Sequence, residues 1–164
     1  MIDVLVDACN IVATRLHPNQ DIICEIQRVA KEKKIGCGVI VCLVGSLEKA
    51  VIRRVFDPKA RHVVYDPQSG KKISGTKVYD VVEIEGPLEI VSATGTVSQD
   101  SRTHIHVVLS NGKSMFSGHL LEGSLVYTTV EMFILITRSI VSERIYDAST
   151  GHKELTLRKR IRRA

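Results

Sequence analysis

The sequence predicts an α+β fold: a single domain in which a curled, mostly antiparallel β-sheet of seven or more strands carries one or two packed helices. Three observations predict it. One stretch, residues 22–30, repeats its apolar residues at clear helical spacing. Much of the remaining chain is short runs rich in Val, Ile and Thr, cut by Gly, Pro, Asn and Asp. Asn111-Gly112 divides two such runs, and Asn-Gly suits the positive φ angles of a two-residue hairpin turn.

A chain of 164 residues fits one domain and is long enough to bury a full core. Hydrophobic content of 44% and charged content of 25% belong to a globular chain, not a disordered one. No run of 18 apolar residues exists, which excludes a membrane-spanning helix. The opening MIDVLVDACN lacks the basic start of a signal peptide. Cys9, Cys24, Cys37 and Cys42 form no C-x-x-C pair and read as small buried hydrophobes of a reducing compartment. A cytoplasmic location with no membrane partner is therefore expected.

Taken in order, residues 1–8 suit a short helix or a strand equally. Residues 11–16 suit a strand ending at His17-Pro18. Asn19 is placed to cap a helix, with Asp21 in its first turn. Ile22, Ile26, Val29 and Ala30 make the buried stripe, Lys31, Lys33 and Lys34 favour the C-terminal end, and Gly36 suits a left-handed cap. Residues 37–44 read as a strand buried on both faces, stopped by Gly45-Ser46. A second strand follows at 50–56. Residues 57–79 read as a surface excursion with one short strand at 62–65. Strands at 81–84 and 88–97 are separated by Gly86-Pro87. The hairpin around Asn111-Gly112 leads through Glu122-Gly123 into a long strand at 125–137. Strands at 142–146 and 154–157 flank a turn at 147–151.

Charge is unevenly placed. Arg158, Lys159, Arg160, Arg162 and Arg163 supply the whole net charge of +5, because the other Lys and Arg equal the 18 Asp and Glu in number. Residues 1–157 are thus one domain and residues 158–164 a basic tail. Such a tail can hold nucleic-acid phosphates without sequence preference.

The hairpin also gathers histidines. With Asn111-Gly112 as the whole loop, Ser110 faces Lys113 and His104 faces His119. His106 lies on the same face, two residues along. Opposed side chains sit about 5 Å apart, and diagonal ones about 7–8 Å. Three imidazoles converging in this way suit one zinc ion with an open fourth position. Glu131, set in an apolar run, and Glu89 are candidate acid/base groups beside such a metal. Gly45, Gly95 and Gly118 suit tight turns or close backbone approach, and none belongs to a phosphate loop. Ser46 lies in no nucleophile-elbow pattern, so serine hydrolysis finds no support.

Three blocks carry a family likeness: VGSLEKAVIRRV, GPLEIVSATGTVS and HIHVVLSNGKSMFSGHLLEGSLVYTTVEMFI. In that order and spacing they resemble the PPC domain, named for plants and prokaryotes, over residues 16 to 157. The resemblance implies a strongly bent antiparallel sheet, a homotrimer, and a DNA-binding or assembly role. The implied fold is also similar to that of acetolactate decarboxylases, which hold zinc through His-x-His and a later His; His104, His106 and His119 match that pattern. The leading expectation is a trimeric, DNA-associated protein with a three-histidine metal site. The alternative is a zinc enzyme on a small oxygen-rich substrate, decarboxylase- or hydrolase-like. A pure assembly module is the third reading.

Overall fold

The computed structural model describes residues 10–55, 64–65, 72–74 and 79–160. The helical stripe gives the one helix among them, α1 (Ile22–Glu32), after strand β1 (Asn10–Leu16). Both helix ends fall elsewhere than the sequence suggests. Asp21, not Asn19, is the N-cap: one carboxylate oxygen accepts from the Cys24 N–H at 3.1 Å, the other from the Gly123 N–H at 2.6 Å. Asn19 takes a left-handed φ of 66° in the turn before it. At the other end Lys34, φ 50°, takes the left-handed position assigned to Gly36. Ile35 N–H then donates to the Ala30 carbonyl and Lys34 N–H to that of Lys31, the paired bonds of a Schellman end.

Two very long strands organise the sheet: β2 (Cys37–Val55) and β5 (Tyr79–Ser98). Each takes the place of two strands expected from the sequence. The Gly45-Ser46 and Gly86-Pro87 breaks turn out to be bends inside continuous strands. At Gly45, φ is 148° and a Cβ would stand 2.0 Å from the Thr129 carbonyl oxygen, so only glycine lets β2 pass its neighbour here. Bulges between Ile40 and Cys42, Gly45 and Leu47, and Leu47 and Lys49 add to the curvature. A bulge also passes over the proline, which lacks the N–H a regular ladder needs.

The remaining strands are β3 (Val64–Tyr65), β4 (Lys72–Ser74), β6 (Thr103–Ser110), β7 (Met115–Leu120), β8 (Leu125–Ile136), β9 (Ile140–Asp147) and β10 (His152–Lys159). Six make one antiparallel sheet in the order β1-β8-β2-β5-β6-β7. The bent end of β2 also reaches β7, pairing Ile52 with Leu120 and Arg53 with His119. Strands β2, β5, β6 and β7 therefore close into a ring. β3 with β4, and β9 with β10, form separate two-stranded ribbons. The turn expected at 147–151 is present: the Asp147 carboxylate accepts from the Ser149 N–H at 2.8 Å and Gly151 takes φ 70°. Residues 1–8 and most of the 57–79 excursion lie outside the described residues.

The core joins the apolar stripe of α1 to buried residues of the sheet. Ile22 and Ile26 of α1 are fully buried, as are Leu47, Leu88, Met132 and Ile134 of the sheet. The outward side of β8 keeps apolar residues in solvent: Tyr127 is 46% exposed and Phe133 36%. Across the register Phe133 lies between Ala13 of β1 and Cys42 of β2, with Ile11 and Val44 exposed beside them. Of the cysteines expected in the core, Cys37 is buried but Cys24 is exposed on α1.

Candidate metal centre

The hairpin holding the histidines has a longer loop than Asn-Gly suggests. Ser110 pairs with Met115, leaving residues 111–114 as the turn. The Asn111 side-chain oxygen accepts from the N–H groups of Lys113 at 3.1 Å and Ser114 at 2.8 Å. Of the Asn-Gly pair only Gly112 has positive φ, at 82°. The register is therefore shifted by two residues, and His119 faces His106 rather than His104. A shift of two preserves the face, because side chains alternate with period two. All three imidazoles still converge.

Their ring centroids are 4.7 Å apart for His104–His119, 5.1 Å for His104–His106 and 5.5 Å for His106–His119. The Nε2 atoms of His104 and His106 lie 3.1 Å apart. One ligand atom from each of the three lies within 4.8 Å of the others. Zinc–nitrogen bonds of about 2.0–2.1 Å in a tetrahedron put ligand nitrogens about 3.3 Å apart. The His104 and His106 Nε2 atoms already stand close to that spacing. The donor set is all imidazole, which suits zinc, and Nδ1 of His119 is buried without a hydrogen-bond partner among the described residues. The residues present fit the ion.

Neighbouring strands position each ring. His104 and His106 pair across to Thr96 and Thr94 of β5, and His119 pairs with Arg53 of β2. The last pairing depends on Gly118, where a Cβ would stand 2.6 Å from the Arg53 carbonyl oxygen. His106 is exposed, while His104 and His119 are half-buried. Burial, then Arg53, the other two imidazoles and Arg144, hold the His119 pKa down to about 4. His104 is lowered too, by burial first, then by Arg144, His106 and Arg53, with Glu154 opposing. Both rings are neutral at pH 7 and ready to ligate.

The shift sets a pH dependence. Between about pH 6.5 and 4, the folded chain binds fewer protons at His119 than the unfolded chain does. That contribution to stability is complete above about 6.5 and disappears as pH falls toward 4. Metal-free protein should therefore melt lower at pH 4.5 than at pH 7, and His119→Gln should shrink the difference. An undiminished difference in the variant would assign the acid sensitivity to other groups.

A cavity of about 1010 Å³ opens over the histidines. Its wall includes Arg53, Arg54, Arg102, Arg144 and Lys153, with Glu154 the acidic residue among the lining groups. Neither Glu131 nor Glu89 lines it. Glu131 is exposed on the outward face of β8, paired across to Arg15 and Val44; Glu89 is exposed on β5 opposite Ser46 and Ser110. The carboxylate the structure brings to the cavity is Glu154 of β10, which accepts from the Thr150 hydroxyl at 2.8 Å. No role is assigned from the sequence to Glu154, Arg53 or Arg144; Arg53 is far in the chain from the other two, which lie on the paired strands β9 and β10.

The first residues of the segment read as a basic tail are paired in the structure. Pairing in the β9–β10 ribbon runs through Arg158 opposite Val141 and Lys159 opposite Ile140. Arg158 forms an ion pair with Glu143, and the Arg160 N–H donates to the Ser139 carbonyl at 2.8 Å. Arg162 and Arg163 lie outside the described residues. No helix among the described residues is long and apolar enough to cross a membrane.

Known proteins resemble this architecture. A metal-containing protein from Archaeoglobus fulgidus is 28% identical, with a TM-score of 0.72 over 95% of this chain and 99% of that one. A candidate DNA-binding protein from Bacteroides thetaiotaomicron, 20% identical, gives a TM-score of 0.66 over 90% and 92% of the two chains. A weaker likeness, TM-score 0.49 at 9% identity, is to the α-acetolactate decarboxylase of Bacillus subtilis over 77% of this chain and 52% of the enzyme. Among curated proteins, the bifunctional protein GlmU of a Synechococcus strain is 28% identical over 142 residues; these are 86% of this chain and 19% of GlmU. The chain thus spans about a fifth of the curated relatives it matches. The Plants and Prokaryotes Conserved (PCC) domain matches residues 6–137, and the chain belongs to that family.

Proposed function

We propose that this PCC-domain protein binds one zinc ion through His104, His106 and His119 and assembles as a homotrimer. The observation that carries the reading is the convergence of three imidazoles on one face of the β6–β7 hairpin, beneath an open cavity. The metal-containing relative from Archaeoglobus supports it. Bound zinc would supply a Lewis acid with a position free for an outside oxygen. Elemental analysis of the purified protein tests the reading. About one zinc per chain, removed by a chelator, is expected; metal-free protein that takes up no added zinc overturns it.

The outward face of β1, β8 and β2 is the surface for assembly. Ile11, Phe133, Tyr127 and Val44 leave an apolar area in solvent there. One heterologous contact repeated three times would close a ring and cover it. Sedimentation equilibrium should give a mass near three chains of 18.2 kDa. A single-chain mass at micromolar concentration rejects the trimer.

DNA binding, suggested by the Bacteroides relative, would act through Arg158, Lys159, Arg160, Arg162 and Arg163. Arg158 is already paired with Glu143, so the other four should carry most of it. Replacing those four by Gln leaves β10 intact, which truncation at 158 would not. The logarithmic dependence of affinity on salt should flatten by up to about 0.9 for each phosphate that is no longer neutralised. An unchanged slope places the binding surface elsewhere. The cavity favours a second reading, a zinc-dependent enzyme on a small oxygen-rich molecule, with Glu154 in the acid/base place expected of Glu131 and Glu89.

A further inference from the structure

Among the described residues, the histidine cavity carries more positive charge than its carboxylates answer. Arg54 is paired with Asp80 at 3.7 Å and Arg102 with Asp100 at 3.0 Å. Arg53 and Arg144 form no ion pair among the described residues. Arg53 lies over the Tyr79 ring at 5.1 Å, a contact that fixes its direction without neutralising it. Arg144 reaches the cavity from β9. One of its terminal nitrogens donates to the Thr96 hydroxyl at 2.9 Å, and its Nε is buried with no acceptor among the described residues. A buried guanidinium N–H without an acceptor is costly, and the group is steered by Thr96 rather than left to wave in water. Glu154 is the acidic residue among the lining groups.

From this arrangement we infer that the cavity is a binding site for a small organic oxyanion, a carboxylate or a phosphate ester, held by Arg144 and Arg53 beside the three histidines. The planar guanidinium gives two N–H groups to two oxygens of one anion, which a neutral ligand cannot match. A volume of about 1010 Å³ admits a molecule of metabolite size. The inference extends the metal reading, since a second oxygen of the same ligand could meet the ion, but Arg144 and Arg53 do not need the metal to attract an anion.

Calorimetric titration of the full chain tests it, with acetate, inorganic phosphate and neutral acetamide as probes, each against zinc-loaded and chelator-treated protein. At least one anion should bind tenfold or more tighter than acetamide in both preparations. Preference for phosphate assigns the phosphate ester class, and preference for acetate the carboxylate class. Arg144→Gln should lose at least tenfold of that affinity and Arg144→Lys should recover part of it. Should Arg144→Gln fail to fold, Arg53→Gln serves the same comparison. Equal binding of anions and acetamide, anion affinity unmoved by the Gln variants, or displacement of the anion only by a duplex oligonucleotide and not by the other small anion overturns the inference. Absence of zinc with anion binding intact overturns the metal reading alone.

Discussion

Replacing His106 by Ala should remove the bound metal while leaving the fold in place. His106 is exposed, so its truncation costs the folded state little, within about 0.5 kcal/mol for a surface site. Its ring nevertheless lies close to both others, 5.1 Å from His104 and 5.5 Å from His119. Without it two imidazoles remain, and zinc would have to fill half its tetrahedron from water. Loss of a partner behind a ligand already costs about 10–100-fold in affinity; loss of a ligand itself should exceed a hundredfold. Metal per chain after gel filtration, read beside the far-ultraviolet spectrum, checks this. One zinc per chain retained in the variant would refute the three-histidine centre.

Gly45→Ala should be the most damaging single change in the sheet that frames the site. The new Cβ would meet the Thr129 carbonyl oxygen at 2.0 Å and the Val130 Cα at 2.8 Å, both backbone atoms that have nowhere to turn. Strain from the positive φ adds to the collision. A loss of at least about 3 kcal/mol is expected, lowering the melting temperature by about 6–12 °C. Gly112→Ala is the control. It also has positive φ, at 82°, but nothing lies within 4 Å of its would-be Cβ, and about 1 kcal/mol should suffice. Melting of Gly45→Ala within two or three degrees of the parent would show that β2 bends by another means.

Much of this is legible in local pattern, and what escapes it has a physical reason. Helical spacing locates α1, the Asn-Gly break locates the hairpin of β6 and β7, and the run rich in β-branched and aromatic residues locates β8. The hairpin register differs by two residues from the Asn-Gly expectation because Asn111 satisfies the turn with its side chain, which lengthens the loop. The histidine cluster survives that difference because an even shift keeps the face. Gly45 and Gly86 resemble strand ends because a glycine demanded by a neighbouring backbone looks, in sequence, like a glycine in a turn. Arg53, Arg144 and Glu154 escape notice because they meet only when the β9–β10 ribbon lies beside the ring that holds Arg53, and no short motif records such a meeting.

The place of β2 also bears on the order of folding. It is made early in the chain, yet its partners are β5, β7 and β8, and its start pairs with the far end of β8, Gly38 opposite Ile136. Until β8 has been synthesised, a strand of 19 residues with an apolar first half keeps an edge unpaired. Long-range pairings of this kind slow folding, because the chain must close large loops before pairing offsets the entropy of closure. The same strand joins the ring around the histidines to the outward face of β8. The hairpin that carries the histidines lies beyond one edge of this strand and the outward face of β8 beyond the other, so a nascent chain stalled before residue 125 would hold the residues of the hairpin and none of β8.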